Sequence, residues 1–222
     1  FIHEKQFSSD VSHELRTPIT VILAQSDYAL QYSDTFEEAK ESLEVINRHA
    51  KRMTNLINQI MELSKLERQK EIEKEKINLS NIVLQLLEDY KPLLESKNLN
   101  LVYNVEKDLR IQGNKIMLER VFLNILMNAV KFTKTNIEVS LTREDKTAVL
   151  KIRDDGIGIS EENKKFIWER FFQVNDSRNK EENKGSGLGL SMVKKIVDLH
   201  SATIDLESEL EQGTCFTIKF NM

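Results

Sequence analysis

The chain of 222 residues contains few of the residues that bend or cross-link a fold: two prolines, seven glycines and one cysteine. A single cysteine excludes an internal disulfide and favours a reducing compartment, so we expect the cytosol. No apolar run approaches the roughly 20 residues that span a bilayer, and the first residues do not resemble a signal peptide. Because the chain begins within a predicted helix and without an initiator methionine, we expect a fragment of a longer protein.

An excess of one sign of charge is also absent. The chain has 32 basic and 36 acidic residues, a net charge of −4, although 31% of its residues are charged. A domain that binds duplex nucleic acid usually carries a basic face, so we expect no nucleic-acid partner. The hydrophobic residues, 40% of the chain, are enough to fill the core of one large or two ordinary globular domains.

The first 70 residues have the apolar spacing of two helices. In residues 7–30 apolar side chains fall on one face, and from Asp34 to about Lys70 they recur three and four residues apart. Asp34 and Glu37 fit a capping box at the start of the second helix. Because only residues 31–33 separate the helices, we expect an antiparallel hairpin. Two helices cannot cover both apolar stripes, so the pattern predicts a homodimeric four-helix bundle.

A change of pattern near residue 75 predicts a second domain. Residues 68–76 are strongly charged and almost without apolar periodicity, so we expect a linker, with a helical domain at 1–72 and another domain at 73–222. Beyond the linker, helical spacing and β-branched runs are interleaved. The expected helices are 80–95 and 115–132, and the expected strands are 99–105, 137–141, 148–153, 203–206 and 214–220. Without regular strand-helix-strand repetition, the pattern predicts a two-layer α/β sandwich and an α+β fold class.

Five of the seven glycines lie in two short segments, 154–158 and 185–189. Glycine lets the backbone approach a ligand closely, so glycines concentrated in this way indicate one site. The second segment leads into an amphipathic run, residues 188–197, which we expect to form a helix. The N–H groups and the positive dipole at a helix N-terminus attract anions, so this segment predicts a phosphate-binding loop.

One histidine is separated from the apolar face of its helix. At about 100° per residue, His13 falls far from the apolar stripe and is expected to point outward, with Thr17 one turn later on the same side. A lone histidine is usually a solvated surface residue, and that interpretation is given to the others: His3, His49 and His200.

The predicted helix 115–132 carries polar residues among apolar ones. Asn124, Asn128 and Lys131 share one face at spacings of four and three. Pairing with nearby backbone would explain the asparagines. An amide oxygen is also a suitable Mg²⁺ ligand, and a lysine can meet phosphate as a point charge.

The segment at residues 7–19, which reads Phe-Ser-Ser-Asp-Val-Ser-His-Glu-Leu-Arg-Thr-Pro-Ile, strongly resembles the phosphoacceptor motif of sensor histidine kinases. In that family the histidine receives the γ-phosphoryl group of ATP. The resemblance implies that His13 is the nucleophile and that Glu14 fixes its tautomer by holding the proton on the other ring nitrogen. It also implies that Thr17 positions water where a family member removes phosphate from its partner protein.

Four segments of the second half look like the ATP-binding boxes of the histidine kinase catalytic domain: 119–132, 154–158, 166–172 and 185–189. The resemblance implies that Asp154 binds the adenine amino group, that Asn128 is the Mg²⁺ ligand, and that a lid has residues 174–187 as its body. The residues implied to contact the nucleotide are Asn124, Asn128, Lys131, Asp154, Gly156, Gly158, Gly185, Gly187, Leu188 and Gly189. Gln173 stands where many relatives have a basic residue.

By this resemblance the chain is the kinase core of a two-component sensor, with ATP and Mg²⁺ as cofactors. The implied partners are a second copy of the chain and the receiver domain of a response regulator, whose aspartate takes the phosphoryl group. Membrane attachment is implied only through segments outside the chain. Two rival interpretations are a dimeric scaffold that merely binds nucleotide and an ATPase of the gyrase and MutL type. The first leaves His13 unexplained, and the second has no reason to carry His13 and Glu14 on a hairpin.

Overall fold

A computed structural model describes residues 2–174 and 185–222, with side chains from Phe7 onward. The chain forms two compact units, Phe1–Lys65 and Leu66–Met222. A helical hairpin is followed by a sheet covered with helices, so the predicted α+β fold class is confirmed. Over the described ranges, no helix has the length and apolarity that crossing a membrane requires.

The helical hairpin consists of α1 (Ile2–Gln31) and α2 (Phe36–Arg68). The predicted capping box at the start of α2 is wrong by one residue. Thr35 caps the helix, since its Oγ1 accepts the N–H of Glu38 at 3.3 Å. The Glu38 carboxylate reaches back and accepts the N–H of Asp34 at 3.0 Å. Thr35 and Glu38 therefore supply the paired acceptors that the sequence analysis assigned one position earlier.

The second unit contains two sheets. A small antiparallel sheet pairs β1 (Glu75–Asn78) with β3 (Arg110–Gly113). The main sheet has the strand order β2-β4-β5-β7-β6, in which β2 and β4 are parallel and all other neighbours are antiparallel. Its strands are β2 (Asn100–Val105), β4 (Asn136–Glu144), β5 (Thr147–Asp154), β6 (Thr203–Glu209) and β7 (Gly213–Asn221). Sequence analysis located these five strands but missed β1, in the charged segment it treated as a linker, and β3.

Helices cover one face of the main sheet. They are α3 (Leu79–Ser96), α4 (Lys115–Phe132) and α6 (Gly189–Leu199), with a short α5 (Glu161–Lys164) before the last of them. Alternate residues of β4, namely Ile137, Val139 and Leu141, are buried, as expected for a strand with one face in a core. Burying each such side chain stabilises the fold by about 1.5–3 kcal/mol. The predicted two-layer sandwich is confirmed.

His200 joins the end of α6 to the start of α4. It is buried, so its interpretation as a solvated residue is wrong. Its Nε2 lies 3.0 Å from the backbone N–H of Asn114 and must accept, so Nδ1 carries the proton and donates to the Ile196 carbonyl oxygen at 2.8 Å. Burial lowers the pKa of His200, the hydrogen bond to Ile196 raises it, and Lys74 lowers it. Of the other two, His49 is half-buried, and the side chain of His3 lies outside the described residues.

The stabilisation that His200 provides should be complete above the pKa of about 6.5 of an unfolded histidine and should be lost as the pH falls toward its lower folded value. In that window the unfolded state binds more protons, so acid favours unfolding. We expect His200→Gln to lower the free energy of unfolding by about 1–2 kcal/mol at neutral pH, and to flatten its decline on acidification.

Urea unfolding followed by tryptophan fluorescence measures this effect. The single tryptophan, Trp168, lies in the second unit and packs edge-on against Phe216 at 6.0 Å between ring centroids, so it reports on that unit alone. Equal pH slopes in the wild type and the His200→Gln variant would contradict the prediction.

Candidate active site

The helix α4 presents a polar stripe beside its buried face. The side-chain oxygen of Asn114 caps the helix by accepting the N–H of Met117 at 3.2 Å. Further along, Asn124 and Asn128 are half-buried, although Ile125 and Leu126 between them belong to the core. The Asn124 amide nitrogen donates to the Arg120 carbonyl oxygen at 3.0 Å, which leaves the Asn124 oxygen as the group that faces away from its own helix.

The start of α6 lies against this polar stripe. A Cβ atom at Gly189, the first residue of α6, would be 2.8 Å from the Asn124 side-chain oxygen. Leu188 is completely buried just before it, and Ser186 Oγ accepts the Leu188 N–H at 3.2 Å. The fold therefore brings Asn124 to a helix N-terminus, where unpaired N–H groups favour an anion.

Asn128 and Lys131 offer one acceptor and one cation on the same stripe. Within residues 2–174 and 185–222, no hydrogen bond involves the Asn128 side chain, so its amide oxygen is available to a ligand. The Lys131 ammonium lies 4.6 Å from the centre of the Phe132 ring. A Cβ at Gly185 would be 3.5 Å from the same ammonium, so Lys131 also lies beside the segment that leads into α6.

Asp154 ends β5 and is buried, with a relative exposure of only 7% for the whole residue. Burial raises the pKa of Asp154 to about 6, which outweighs the lowering by hydrogen bonds from the backbone of Gly156 and Thr214. The neighbouring charges oppose each other, since Asp155 raises this pKa and Arg153 lowers it. The Gly156 N–H donates to Asp154 Oδ1 at 2.9 Å. Asp154 is thus a buried acceptor that is mostly ionised at neutral pH.

The next residue, Asp155, has a structural role that the sequence analysis missed. Burial would raise the pKa of Asp155, but hydrogen bonds from Thr133, Thr135 and Asn136 outweigh burial and hold it well below its usual range. The shortest joins Thr133 Oγ1 to Asp155 Oδ1 at 2.6 Å. The carboxylate ties the end of α4 to the loop after β5. Its signal in the sequence is the run of hydroxyl and amide residues directly after α4.

The turn between β6 and β7 lies against the loop after Asp154. Gly158 has a φ of +68°, and a Cβ there would be 1.9 Å from the Glu209 carbonyl oxygen. Gly213 has a φ of +95°, and a Cβ there would be 2.0 Å from the Asp154 carbonyl oxygen. Neither position can accept a side chain. Sequence analysis named Gly158 but passed over Gly213, which stands alone in the sequence and becomes notable only when β7 pairs with β5.

The remaining predicted residues of this region are placed as follows. A Cβ at Gly156 would be 2.2 Å from the Phe132 carbonyl oxygen, so this glycine also lies against backbone. Gly187 accepts the N–H of Phe171 at 3.0 Å. The Gln173 side chain donates to the Gly185 carbonyl oxygen at 2.9 Å. Most of the predicted lid body, residues 175–184, lies outside the described residues.

The predicted acceptor residues lie on α1, in the first unit. His13 is exposed, as its position on the helix predicts, and Thr17 is exposed one turn later. Glu14 is half-buried beside them, and Pro18, inside the helix, is buried. A neutral imidazole at an exposed position can use one nitrogen as a nucleophile while the other keeps its proton.

Comparison with known proteins assigns most of the chain to two kinds of domain. Residues 113–222 match the family model described as histidine kinase-, DNA gyrase B-, and HSP90-like ATPase. Residues 3–69 match the His Kinase A (phospho-acceptor) domain. An ATPase domain thus follows a phosphoacceptor hairpin, and the chain belongs to the family of sensor histidine kinases, which are ATP-dependent kinases.

Curated relatives match nearly all of the chain. It is 33% identical to an uncharacterized sensor-like histidine kinase, ycf26, of Porphyra purpurea, 36% identical to histidine kinase P4 of Formosa agariphila, and 30% identical to sensor histidine kinase YkoH of Bacillus subtilis. The matches cover 96%, 96% and 98% of the chain but only 35%, 16% and 48% of the relatives. The chain therefore spans less than half the length of these relatives.

Solved structures with a similar fold include two histidine kinases. AdeS of Acinetobacter baumannii has a TM-score of 0.73 at 22% identity, with 95% of this chain and 98% of that chain covered. ThkA, in its complex with the response regulator protein TrrA, has a TM-score of 0.79 at 23% identity, with 97% of this chain and 61% of that chain covered. At these identities the likeness concerns the fold alone.

The affinity for adenosine should fall as the pH drops through about 6, where Asp154 gains a proton. Protonation removes the charge that makes a carboxylate a strong acceptor for an amino group. Adenosine is the suitable probe because phosphates themselves titrate near this pH. Asp154→Asn should bind adenosine roughly tenfold more weakly at neutral pH, without the acid-dependent step. Chemical-shift titrations measure both effects, and a step of equal size in the variant would assign the titration to another group.

Proposed function

We propose that this chain is the kinase core of a two-component sensor and transfers the γ-phosphoryl group of Mg-ATP to His13. The observation that carries the proposal is an exposed histidine, followed directly by a carboxylate, on the hairpin of a chain whose second unit matches an ATPase family model. An aspartate on the receiver domain of a response regulator is the next acceptor.

The pocket supplies separate groups for the two ends of ATP. The buried carboxylate of Asp154 accepts a hydrogen bond from the adenine amino group, which guanine lacks at that position. A polar region suited to phosphates is formed by the N-terminus of α6, the side-chain oxygen of Asn124 and the ammonium of Lys131. A relative of similar fold, ShkA, was solved in complex with AMPPNP, with a TM-score of 0.71 at 23% identity. That structure supports the choice of an adenine nucleotide.

Asn128 is the residue proposed to hold Mg²⁺. Its free amide oxygen is a hard ligand, and magnesium typically takes one or two protein ligands together with phosphates and water. In the parts of the chain that the structure describes, no cluster of three or more His, Cys, Asp or Glu side chains could hold a metal ion. The ion would therefore depend on the nucleotide's own oxygens and would neutralise their charge.

The transfer step forms one bond and breaks one. The unprotonated nitrogen of His13 attacks the γ-phosphorus, the bond from that phosphorus to the oxygen bridging to the β-phosphate breaks, and ADP leaves with the bonding electrons. Glu14 holds or accepts the proton on the other ring nitrogen, as the third member of a catalytic triad does. Positioning and charge neutralisation supply most of the rate enhancement in such reactions.

A homodimer is part of the proposal because the hairpin leaves apolar side chains in water. The exposed large apolar residues of the first unit are Ile19, Leu23, Tyr28, Leu30, Tyr32, Phe36, Leu43, Ile57 and Met61. They occur along both helices, which is the distribution expected if a second hairpin covers them.

The response regulator and a second, phosphatase activity complete the proposal. ThkA was solved in complex with the response regulator protein TrrA, which supports a partner of the same kind. Thr17 is exposed one turn from His13, so its hydroxyl is available to orient water toward a phosphorylated aspartate. The relatives are sensor proteins more than twice as long as the chain, and any attachment to the cell membrane would come from such additional segments.

The kinase proposal predicts covalent labelling of the protein by γ-labelled Mg-ATP in an acid-labile, base-stable form. His13→Ala should abolish the label because the acceptor is missing, yet should bind ADP as the wild type does. Asn128→Ala should reduce the label because the metal-bound nucleotide is lost, and magnesium should no longer strengthen its ADP binding. The measurements are autoradiography after acid or base treatment and isothermal titration calorimetry.

Several results would contradict the kinase proposal. Label on serine or threonine would indicate another kinase class, and release of free phosphate without label would indicate a clamp-type ATPase. Sedimentation equilibrium of the same samples checks that each variant keeps the mass of a dimer of 25.8 kDa chains.

The phosphatase proposal predicts that Thr17→Ala slows dephosphorylation of a phosphorylated receiver domain about tenfold while it leaves autophosphorylation of His13 intact. Thr20→Ala is the matched control, because Thr20 is also exposed on α1 but its hydroxyl donates to the Arg16 carbonyl oxygen at 3.0 Å. Loss of labelled phosphate from the receiver domain measures the rate. Equal rates in the Thr17→Ala variant and the wild type would remove Thr17 from the reaction.

A further inference from the structure

A single hydroxyl joins three segments at the edge of the candidate adenine pocket. Ser208, in β6, accepts the N–H of Ile159 at 2.8 Å and donates to the Gly213 carbonyl oxygen at 2.8 Å. The Thr214 hydroxyl lies 3.0 Å from the same Ser208 oxygen and can act as its second donor. Ser208 thereby uses its donor and both acceptor positions to connect the loop after Asp154 with β6 and β7.

Further contacts join the same loop and turn. The Glu211 N–H donates to the Ile157 carbonyl oxygen at 2.8 Å. The Lys134 ammonium reaches the Glu211 carbonyl oxygen at 3.0 Å and its carboxylate at 2.9 Å, so the turn is also tied to the segment after α4. With the close approaches at Gly158 and Gly213, these bonds make the β6–β7 turn the outer support of the loop at residues 156–159.

We propose that Ser208 is a positioning residue of the nucleotide pocket, which raises the affinity for adenine nucleotides by holding the loop at residues 156–159 in place beside Asp154. The inference rests on the proposed function, because it needs Asp154 to bind adenine. The new element is that Ser208, in β6, holds the loop that follows Asp154 at the end of β5.

The physical reason is preorganisation. Part of the binding free energy is consumed whenever a loop must be ordered at the moment of binding. The loop at residues 156–159 has neither helical nor strand hydrogen bonds of its own, so its order depends on bonds to the β6–β7 turn. Removal of the Ser208 hydroxyl leaves the Ile159 N–H without its acceptor, and the loop gains alternative positions.

The test compares Ser208→Ala with Ser80→Ala in the full 222-residue chain. Ser80 is a matched control, since it is buried in the first turn of α3, donates to the Glu106 carbonyl oxygen at 2.6 Å and accepts the Leu109 N–H at 3.0 Å. Both variants lose one hydroxyl that bridges two backbone groups. Isothermal titration with Mg-ADP and with Mg-GDP, and autophosphorylation at saturating ATP, are measured for each.

We expect Ser208→Ala to bind Mg-ADP roughly three- to tenfold more weakly, the effect of one lost hydrogen bond, with a smaller loss for Mg-GDP. The rate at saturating ATP should be unchanged, because the γ-phosphate is bound elsewhere. Ser80→Ala should bind both nucleotides as the wild type does. Unchanged Mg-ADP affinity in Ser208→Ala, or an equal loss in both variants, overturns the inference. Failure of the wild type itself to bind Mg-ADP overturns the proposed function as well.

A second measurement needs no variant and applies even if Ser208→Ala does not fold. Coupling between two sites is reciprocal, so a turn that stabilises the nucleotide-binding loop must itself be stabilised when nucleotide binds. Amide hydrogen exchange of the wild type should therefore slow at Ile159, Glu211 and Thr214 when Mg-ADP is added. Unchanged exchange at Glu211, despite protection of Gly156, overturns the inference.

Discussion

The adenine site proposed for this protein depends on keeping one carboxylate, Asp154, buried and still able to ionise. A buried charge must be compensated by hydrogen bonds, and here the backbone N–H groups of Gly156 and Thr214 provide them. Gly156 lies two residues after Asp154 in the chain, and Thr214 is the register partner of Asp154 across β5 and β7. The backbone is also closely packed around Asp154, since a Cβ at Gly156 would collide with the Phe132 carbonyl and a Cβ at Gly213 with the Asp154 carbonyl. The carboxylate proposed to recognise adenine is therefore held within closely packed backbone.

Helix α4 shows how the same segment serves the core and the site. Its buried residues, Leu118, Val121, Phe122, Ile125, Leu126, Ala129 and Val130, fix its position on the sheet. Asn124 and Asn128 fall between them, at the edge of the buried face, where a polar side chain is only half covered. Because the apolar face cannot rotate without exposing core residues, the orientation of the asparagines is determined by packing and not by the ligand. The end of the site proposed for phosphate thus lies on a packed helix, whereas the end proposed for adenine depends on a loop and a turn.

Most helices and strands, and the outward position of His13, could be predicted from the sequence because the patterns that indicate them are local. Periodicity located the hairpin, α4, α6 and the five strands of the main sheet, and the outward position of His13 followed from helical geometry. The strands β1 and β3 are four residues each, too short to show a period, and β1 lies among charges. The contacts of Ser208 with Ile159, of Gly213 with Asp154 and of His200 with Asn114 join residues that are distant in sequence. Nothing in the neighbourhood of these residues indicates their partners, which become adjacent only when the sheet and the helices are assembled.

The pKa values of two adjacent aspartates are shifted in opposite directions, upward for Asp154 and downward for Asp155, because their surroundings differ. Asp155 receives enough hydrogen bonds from the segment after α4 to outweigh burial, and it stays ionised. Asp154 is more deeply buried and has fewer donors, and the fixed charge of Asp155 raises its pKa further. A carboxyl group with a raised folded pKa takes up its proton more readily than in the unfolded chain, so the folded state loses stability as the pH rises from about 4 to about 6. Above that range the carboxylate is held against an unfavourable environment, and a ligand that donates a hydrogen bond to it relieves part of that penalty. Under the proposed function, the unfavourable burial of Asp154 favours adenine, because adenine places a hydrogen-bond donor at that position.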